Sequence, residues 1–171
     1  MRRIRYRVAV SLDGYISGPD GSVDWIVHDP DFDFGALFRQ FDAVLLGRRT
    51  YEMTQAPGAP PWPAGIRVYV FSRSLRPSEH PHVTVMSGEA RDLLTGLKAR
   101  EGKDIWLFGG ASLFRSLLDQ RLVDGVEVSV MPVLLGGGTP LLERPAKQVN
   151  LKLTGHHSSK AGIVSLEYAV A

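Results

Sequence analysis

The chain contains no cysteine. That excludes disulfide staples, thiolate nucleophiles and cysteine-ligated metals, and it fits a reducing, cytoplasmic setting. Nor does any apolar stretch approach the roughly 20 residues that a membrane-crossing helix requires. The basic N-terminus, Met1-Arg2-Arg3-Ile4-Arg5-Tyr6-Arg7, lacks the apolar segment of a secretory signal. An excess of one charge is also missing: 20 Lys and Arg face 18 Asp and Glu, for a net charge of +2. Beyond the first seven residues the arginines are scattered, so no basic stripe for nucleic acid is indicated. No repeat, low-complexity tract or linker divides the sequence, and residues 1–171 are read as one domain.

What the sequence does hold is a run of apolar strands ending at glycines. In Ile105-Trp106-Leu107-Phe108-Gly109-Gly110-Ala111-Ser112-Leu113-Phe114, a buried strand stops at two glycines and turns directly into a helix. Adjacent glycines let a ligand approach the backbone, and a helix N-terminus offers free N–H groups to a phosphate. Upstream, Arg5 to Leu12 alternates as a strand, and its interleaved arginines suggest an exposed sheet edge. Tyr15 to Asp24 is rich in turn residues and reads as a loop. Asp31 to Phe41 has helical spacing, with Asp31 or Asp33 available as N-cap. Further strands are expected at Ala43–Leu46, Arg67–Phe71, Val83–Met86, Gly125–Leu135, Leu151–His157 and Gly162–Val170. Helices are expected at Thr50–Thr54, at Gly88–Arg100 with Leu93, Leu94 and Leu97 inward, and from Ala111 to about Gln120. The alternation indicates an α/β fold whose mixed sheet is mostly parallel with an antiparallel C-terminal edge.

Three strand ends carry groups suited to phosphate: Gly47-Arg48-Arg49-Thr50, Phe71-Ser72-Arg73 and Gly109-Gly110-Ala111-Ser112. Ligands of open α/β sheets bind beyond the carboxyl ends of the strands. Backbone donors there suit a diphosphate, and arginines match a further phosphate with paired hydrogen bonds. The combination favours NADPH over NADH. It is not the Rossmann fingerprint, because no G-x-G-x-x-G follows the first strand. His156 and His157 lie in a strand, where alternation sends their rings to opposite faces. The remaining histidines show no ligand spacing, so no metal site is expected.

The segments Val10-Ser11-Leu12-Asp13-Gly14-Tyr15-Ile16, Ser22-Val23-Asp24-Trp25, Leu45-Leu46-Gly47-Arg48-Arg49-Thr50-Tyr51-Glu52, Val70-Phe71-Ser72-Arg73, Leu107-Phe108-Gly109-Gly110-Ala111-Ser112-Leu113 and Met131–Leu142 occur in order along nearly the whole chain. Together they resemble the dihydrofolate-reductase-like family, in the bacterial branch related to the reductase domain of riboflavin biosynthesis. The resemblance implies a three-layer α/β/α fold and an NADPH-dependent reductase, often homodimeric. It assigns Gly47, Arg48, Arg49 and Thr50 to the cofactor, with Arg48 near the 2′-phosphate and Thr50 near the diphosphate. Phe71, Ser72 and Arg73 would flank the adenosine and its 2′-phosphate. Gly109, Gly110, Ala111, Ser112 and Leu113 would cradle the diphosphate, and Ala9 and Ile16 would line the nicotinamide.

On the substrate side the resemblance points to Phe108, to Trp25 as a wall of the nicotinamide site or simple loop packing, and to Ser129. The serine matches a position where the folate enzyme carries a pterin-contacting hydroxyl; a half-buried serine facing solvent is the alternative. Dihydrofolate reductase holds a carboxylate at the start of its first helix; Asp31 and Asp33 lie near that position, with Asp24 in the loop before. A proton would come from bound water or from one of these three. Riboflavin reductases carry a D-x-P segment after the second strand, where this chain has Arg49-Thr50-Tyr51-Glu52. That departure argues against a ribosylaminopyrimidine phosphate. The expected activity is hydride transfer to a small pteridine- or pyrimidine-like heterocycle; the alternatives are binding of a dinucleotide without catalysis, the 5-amino-6-(ribosylamino)uracil phosphate reduction of riboflavin biosynthesis, and true folate reduction.

Overall fold

The N-terminal strand β1 (Ile4–Ser11) runs through the middle of the sheet, not along its edge. The structure is a computed structural model that describes residues 1–143 and 148–171. The remaining strands are β2 (Tyr15–Ser17), β3 (Phe41–Gly47), β4 (Arg67–Phe71), β5 (Thr84–Met86), β6 (Asp104–Gly109), β7 (Gly125–Met131), β8 (Thr139–Pro140), β9 (Leu151–Ser158) and β10 (Val164–Val170). The main sheet has the order β5-β4-β3-β6-β1-β7-β10-β9. Pairing is parallel from β5 through to β7, and antiparallel for β7–β10 and β10–β9.

Strand alternation divides the core between two faces. On one face Ile4, Tyr6, Ala43, Leu45, Ile105 and Leu107 meet helices α3 (Ala90–Ala99) and α4 (Ala111–Asp119) through Leu94, Leu97, Phe114 and Leu117. On the other, Val44, Leu46, Val70 and Trp106 meet α1 (Phe34–Phe38) and α2 (Arg48–Thr54) through Leu37 and Tyr51. Each fully buried leucine contributes about 1.5–3 kcal/mol. The result is the expected three-layer arrangement. Leu93 points outward, because only Leu94 and Leu97 of that helix fall on the stripe facing the sheet. Among the described residues no helix is long and apolar enough to cross a membrane.

The arginine pattern of β1 misled because its charges are buried in pairs. Arg5 is 8 % exposed and Glu127, on the neighbouring strand β7, 6 %. Arg5 Nε and Nη2 donate to the Glu127 carboxylate, Arg7 Nη1 donates to it at 3.0 Å, and Arg5 also reaches Gln40 at 2.9 Å. The Arg5 guanidinium lies 4.8 Å from the centre of the Phe41 ring. Burial works against its charge, but the hydrogen bond and charge of Glu127, with help from Asp104, hold its pKa above the ordinary value. Arg2 is buried likewise against Asp42 and the Lys103 carbonyl.

Helix α1 is shorter than its periodicity suggested. Phe41 belongs to β3 because it packs against Trp106 in the core beneath the helix. The turn-rich stretch after β1 includes one short strand: β2 pairs with β8, and a Cβ on Gly138 (φ +129°) would collide with the Ser17 carbonyl. Asp13 ties these two loops together. Its carboxylate accepts from Ser11 Oγ at 2.6 Å and from the backbone N–H groups of Leu135 and Gly136 at 3.1 and 2.7 Å. Those bonds, the Ser11 hydroxyl first, pull its pKa down from 3.8 to about 2.

A depressed carboxylate pKa stabilises the folded state above the unfolded value and loses that contribution as pH falls through the folded one. The stability advantage of the wild type over Asp13→Asn is therefore expected to be constant above about pH 5 and to vanish between about pH 4 and 2. Thermal melts of both proteins across that range check it; parallel curves down to pH 2 would contradict the clasp.

Candidate functional site

Strands β4, β3 and β6 lie side by side and in parallel, so their carboxyl ends open on one edge of the sheet. The register pairs Gly47 with Phe71, and Leu46 with Gly109. All three predicted clusters are thereby brought together. Helix α2 starts directly after Gly47, and α4 directly after Gly110. Neither helix has a side-chain cap at its start. The first-turn N–H groups of two helices therefore converge on adjacent strand ends, where an anion would satisfy them.

The two helix starts face each other closely. A Cβ added to Gly47 would sit 3.8 Å from the Gly109 carbonyl, the Gly110 nitrogen and Leu113 Cβ. One added to Gly110 would lie 3.3 Å from Thr50 Oγ1. Gly109 has φ +137°, in the region that favours glycine, and the Gly109–Gly110 peptide is cis. Arg48 joins the second cluster to the first: Nη1 donates to Ser74 Oγ at 2.6 Å and Nε to Glu52 at 2.7 Å. Ser72 Oγ accepts from the backbone N–H groups of Ser74 and Leu75 and so shapes that loop. Among the described residues Arg49 and Arg73 enter no ion pair. Ser112 is exposed at the start of α4, and Ala111 is buried beside it.

Of the predicted substrate residues, Ser129 and Phe108 share one face of the sheet. Ala9 is in register with Ser129, on the same side of β1 and β7 as Arg7 and Glu127. The Ser129 hydroxyl is 3.4 Å from that of Ser165 on β10. Phe108 lies on that side too, in an aromatic group with Trp106 and Trp62, the last contributed by the Pro-rich loop. Ile16 packs against the opposite core from within β2. Trp25 is half-buried and donates from Nε1 to the Ser22 carbonyl at 3.1 Å.

The three carboxylates are all exposed. Asp33 is the N-cap of α1, accepting from the Ala36 N–H at 2.8 Å and pairing with Arg39 at 3.3 Å. The Ala36 bond and the Arg39 charge hold its pKa below the ordinary value, so it stays ionised at neutral pH. The N–H of Asp31 donates to Asp29 Oδ1, within the turn that precedes α1. A hollow of about 370 Å³ lined by Met1, Arg2 and Ala99–Asp104 lies at the opposite end of the sheet. Its Arg2 and Asp104 are engaged in ion pairs, and it is remote from the glycine clusters.

One grouping had no signal in the sequence. Tyr51, 1 % exposed on α2, directs its hydroxyl to His80 Nδ1 at 3.0 Å and His82 Nε2 at 3.1 Å. The two histidines, whose spacing carries no motif, meet there because the chain before β5 folds back over α2.

The architecture is that of the dihydrofolate-reductase-like fold. Dihydrofolate reductase from Enterococcus faecalis, solved with NADP(H), aligns with a TM-score of 0.71 at 18% identity, over 98% of this chain and 96% of that one. A putative riboflavin biosynthesis protein from Shewanella sp. PV-4 aligns with a TM-score of 0.85 at 24% identity, over 99% of both chains. At the sequence level, the uncharacterized protein YyaP of Bacillus subtilis is 34% identical over 178 residues, spanning 98% of this chain and 94% of its own. The RibD C-terminal domain family matches residues 2–165, and the chain belongs to that family.

Proposed function

We propose that the protein is an NADPH-dependent reductase that transfers hydride to a small pteridine- or pyrimidine-like heterocycle. The observation that carries this reading is the pair of uncapped helix starts at Gly47 and Gly110, on neighbouring strand ends so close that a Cβ on either glycine would touch the other segment. The residues fit an extended dinucleotide. Gly47, Thr50 and Gly109 to Leu113 would hold the diphosphate, while Arg48, Arg49, Phe71, Ser72 and Arg73 would hold the adenosine and its 2′-phosphate. Family membership supports the same assignment, as does the fold shared with an enzyme solved with NADP(H). When bound, the nicotinamide supplies the hydride; the protein supplies placement and electrostatics.

Ala9 and Ile16 would flank the nicotinamide, and Phe108, Trp25 and Ser129 the heterocycle. Asp24, Asp31, Asp33 or bound water would supply the proton. The family resemblance carries with it the expectation of a cytoplasmic homodimer.

Titration with NADPH, followed through quenching of the three tryptophans, tests the reading. Saturable binding is expected, with NADH bound more weakly. Arg48→Ala and Arg73→Ala should each weaken NADPH by about tenfold or more, since a charge-assisted hydrogen bond contributes about 1.5–3 kcal/mol. NADH affinity should barely move. No saturable binding of either nucleotide would sink the proposal.

Binding without turnover is the second reading, and the exposure of Asp24, Asp31 and Asp33 favours it. Assaying NADPH oxidation against dihydropteridines and aminopyrimidines, with and without a ribosyl phosphate, separates the two. Methotrexate binding adds a direct test of folate reduction.

A further inference from the structure

We propose that Arg7 is a specificity-determining residue of the heterocycle site and selects a substrate whose ring carries a carboxylate; the inference rests on the reductase reading above. Arg7 Nη1 donates to Glu127 Oε2 at 3.0 Å. Among the described residues its Nε and Nη2 donate to no protein group, and neither is sealed from solvent. These two nitrogens form the side-on fork of the guanidinium, the edge that matches a carboxylate with two parallel hydrogen bonds. The residue is anchored around that edge. Trp106 Nε1 donates to the Arg7 carbonyl at 3.0 Å, and the guanidinium lies 5.9 Å from the centre of the Phe32 ring. Only 16 % of the side chain is exposed. A mostly buried cation with an unpaired fork leaves donors that a ligand oxygen would satisfy.

The surroundings decide which ligand that is. Ala9, Ser129 and Ser165 form one row across β1, β7 and β10, and Arg7, Glu127 and Glu167 form the next. The rows are two residues apart, a step of about 6.6 Å along the strands. A heterocycle placed over Ala9 and Ser129, against the proposed nicotinamide position, therefore reaches Arg7 with a substituent on its ring. Between the rows, Arg7, the two serines and the two glutamates border a depression of about 10 Å³. That is room for a water and not for a ring, so the heterocycle lies above the sheet with its edge at Arg7. Arginine has donors only, so the substituent is an acceptor. The charges make it an anion. Arg3, Arg5 and Arg7 stand against Asp104 and Glu127, which leaves one positive charge over. Both Glu127 oxygens are already taken up by arginine donors. Glu167 leans away toward β9, where its Oε2 would lie 3.2 Å from a Cβ on Gly155. One carboxylate, planar and singly charged, matches both the fork and the charge; a phosphate, with nearly two charges, exceeds what Arg7 offers.

Binding is measured on the intact chain by fluorescence anisotropy of pterin-6-carboxylate and of its uncharged carboxamide, with and without NADP⁺. Orotate and its carboxamide are run as competitors for the single-ring case. In the wild type each acid should bind at least about tenfold more tightly than its amide. Arg7→Lys keeps a charge beside Glu127 but removes the fork, and should lose most of that preference. Arg7→Gln should lose all of it. Both variants should bind NADPH as the wild type does and keep its far-ultraviolet spectrum. Equal affinity for acid and amide would overturn the proposal, as would a preference that survives in Arg7→Gln. So would failure of both acids to bind below about 1 mM, equivalent to about −4.1 kcal/mol. The two readings fail separately. NADPH binding with no acid preference sinks only the role of Arg7, whereas an Arg7-dependent acid preference without NADPH binding sinks only the reductase reading.

Discussion

Replacing Glu127 with alanine is expected to destabilise the folded protein by about 3–5 kcal/mol, because it strands a buried guanidinium without its carboxylate. Arg5 is enclosed between β1, β7 and the Phe41 ring, and two of its nitrogens donate to Glu127. Arg7 depends on the same carboxylate. A domain's total stability is only about 5–15 kcal/mol, so the loss would be a large share of the whole. Chemical denaturation read by circular dichroism measures it. Glu127→Gln retains an acceptor and should cost less, and replacing both Arg5 and Glu127 with methionine should recover part of the deficit. If Glu127→Ala unfolds at the wild-type denaturant midpoint, the pair does not have the role assigned to it.

The largest functional effect is expected from Gly110→Ala. The new methyl would lie 3.3 Å from Thr50 Oγ1, so the neighbour need yield only a few tenths of an ångström. Gly110 has φ −86° and ψ −164°, an extended conformation open to alanine. The fold should therefore persist while the added methyl crowds Thr50 and the backbone donors at the edge where the two helix starts meet. NADPH affinity is expected to fall by about 100-fold, or about 2.7 kcal/mol, with a far-ultraviolet spectrum like the wild type's. Unchanged affinity in a folded variant would remove the diphosphate from this position.

The two variants probe parts of the protein that differed in legibility. The glycine clusters could be read in the sequence because strand, glycine and helix follow one another locally. Each pattern, Leu45-Leu46-Gly47-Arg48 and Leu107-Phe108-Gly109-Gly110, is complete within a few residues. The Arg5–Glu127 pair spans 122 positions, and nothing near Arg5 announces its partner. An alternating arginine strand looks like an exposed edge unless a carboxylate on the next strand neutralises it. Separations of 29 and 31 positions likewise concealed the contacts of Tyr51 with His80 and His82, whose spacing carries no motif. Asp33 shows an intermediate case. Its position before an apolar helix suggests a cap, and its bond to the Ala36 N–H is that cap.

By itself the sequence determined the α/β class, most strand and helix positions, and the nature of the three phosphate-suited clusters, since these follow from local periodicity and glycine chemistry. Only the tertiary structure decided that β1 lies at the centre, which strand ends are neighbours, and which charges are buried in pairs. Those are set by strand order and register, which bring together residues far apart in the chain through packing that no local pattern encodes.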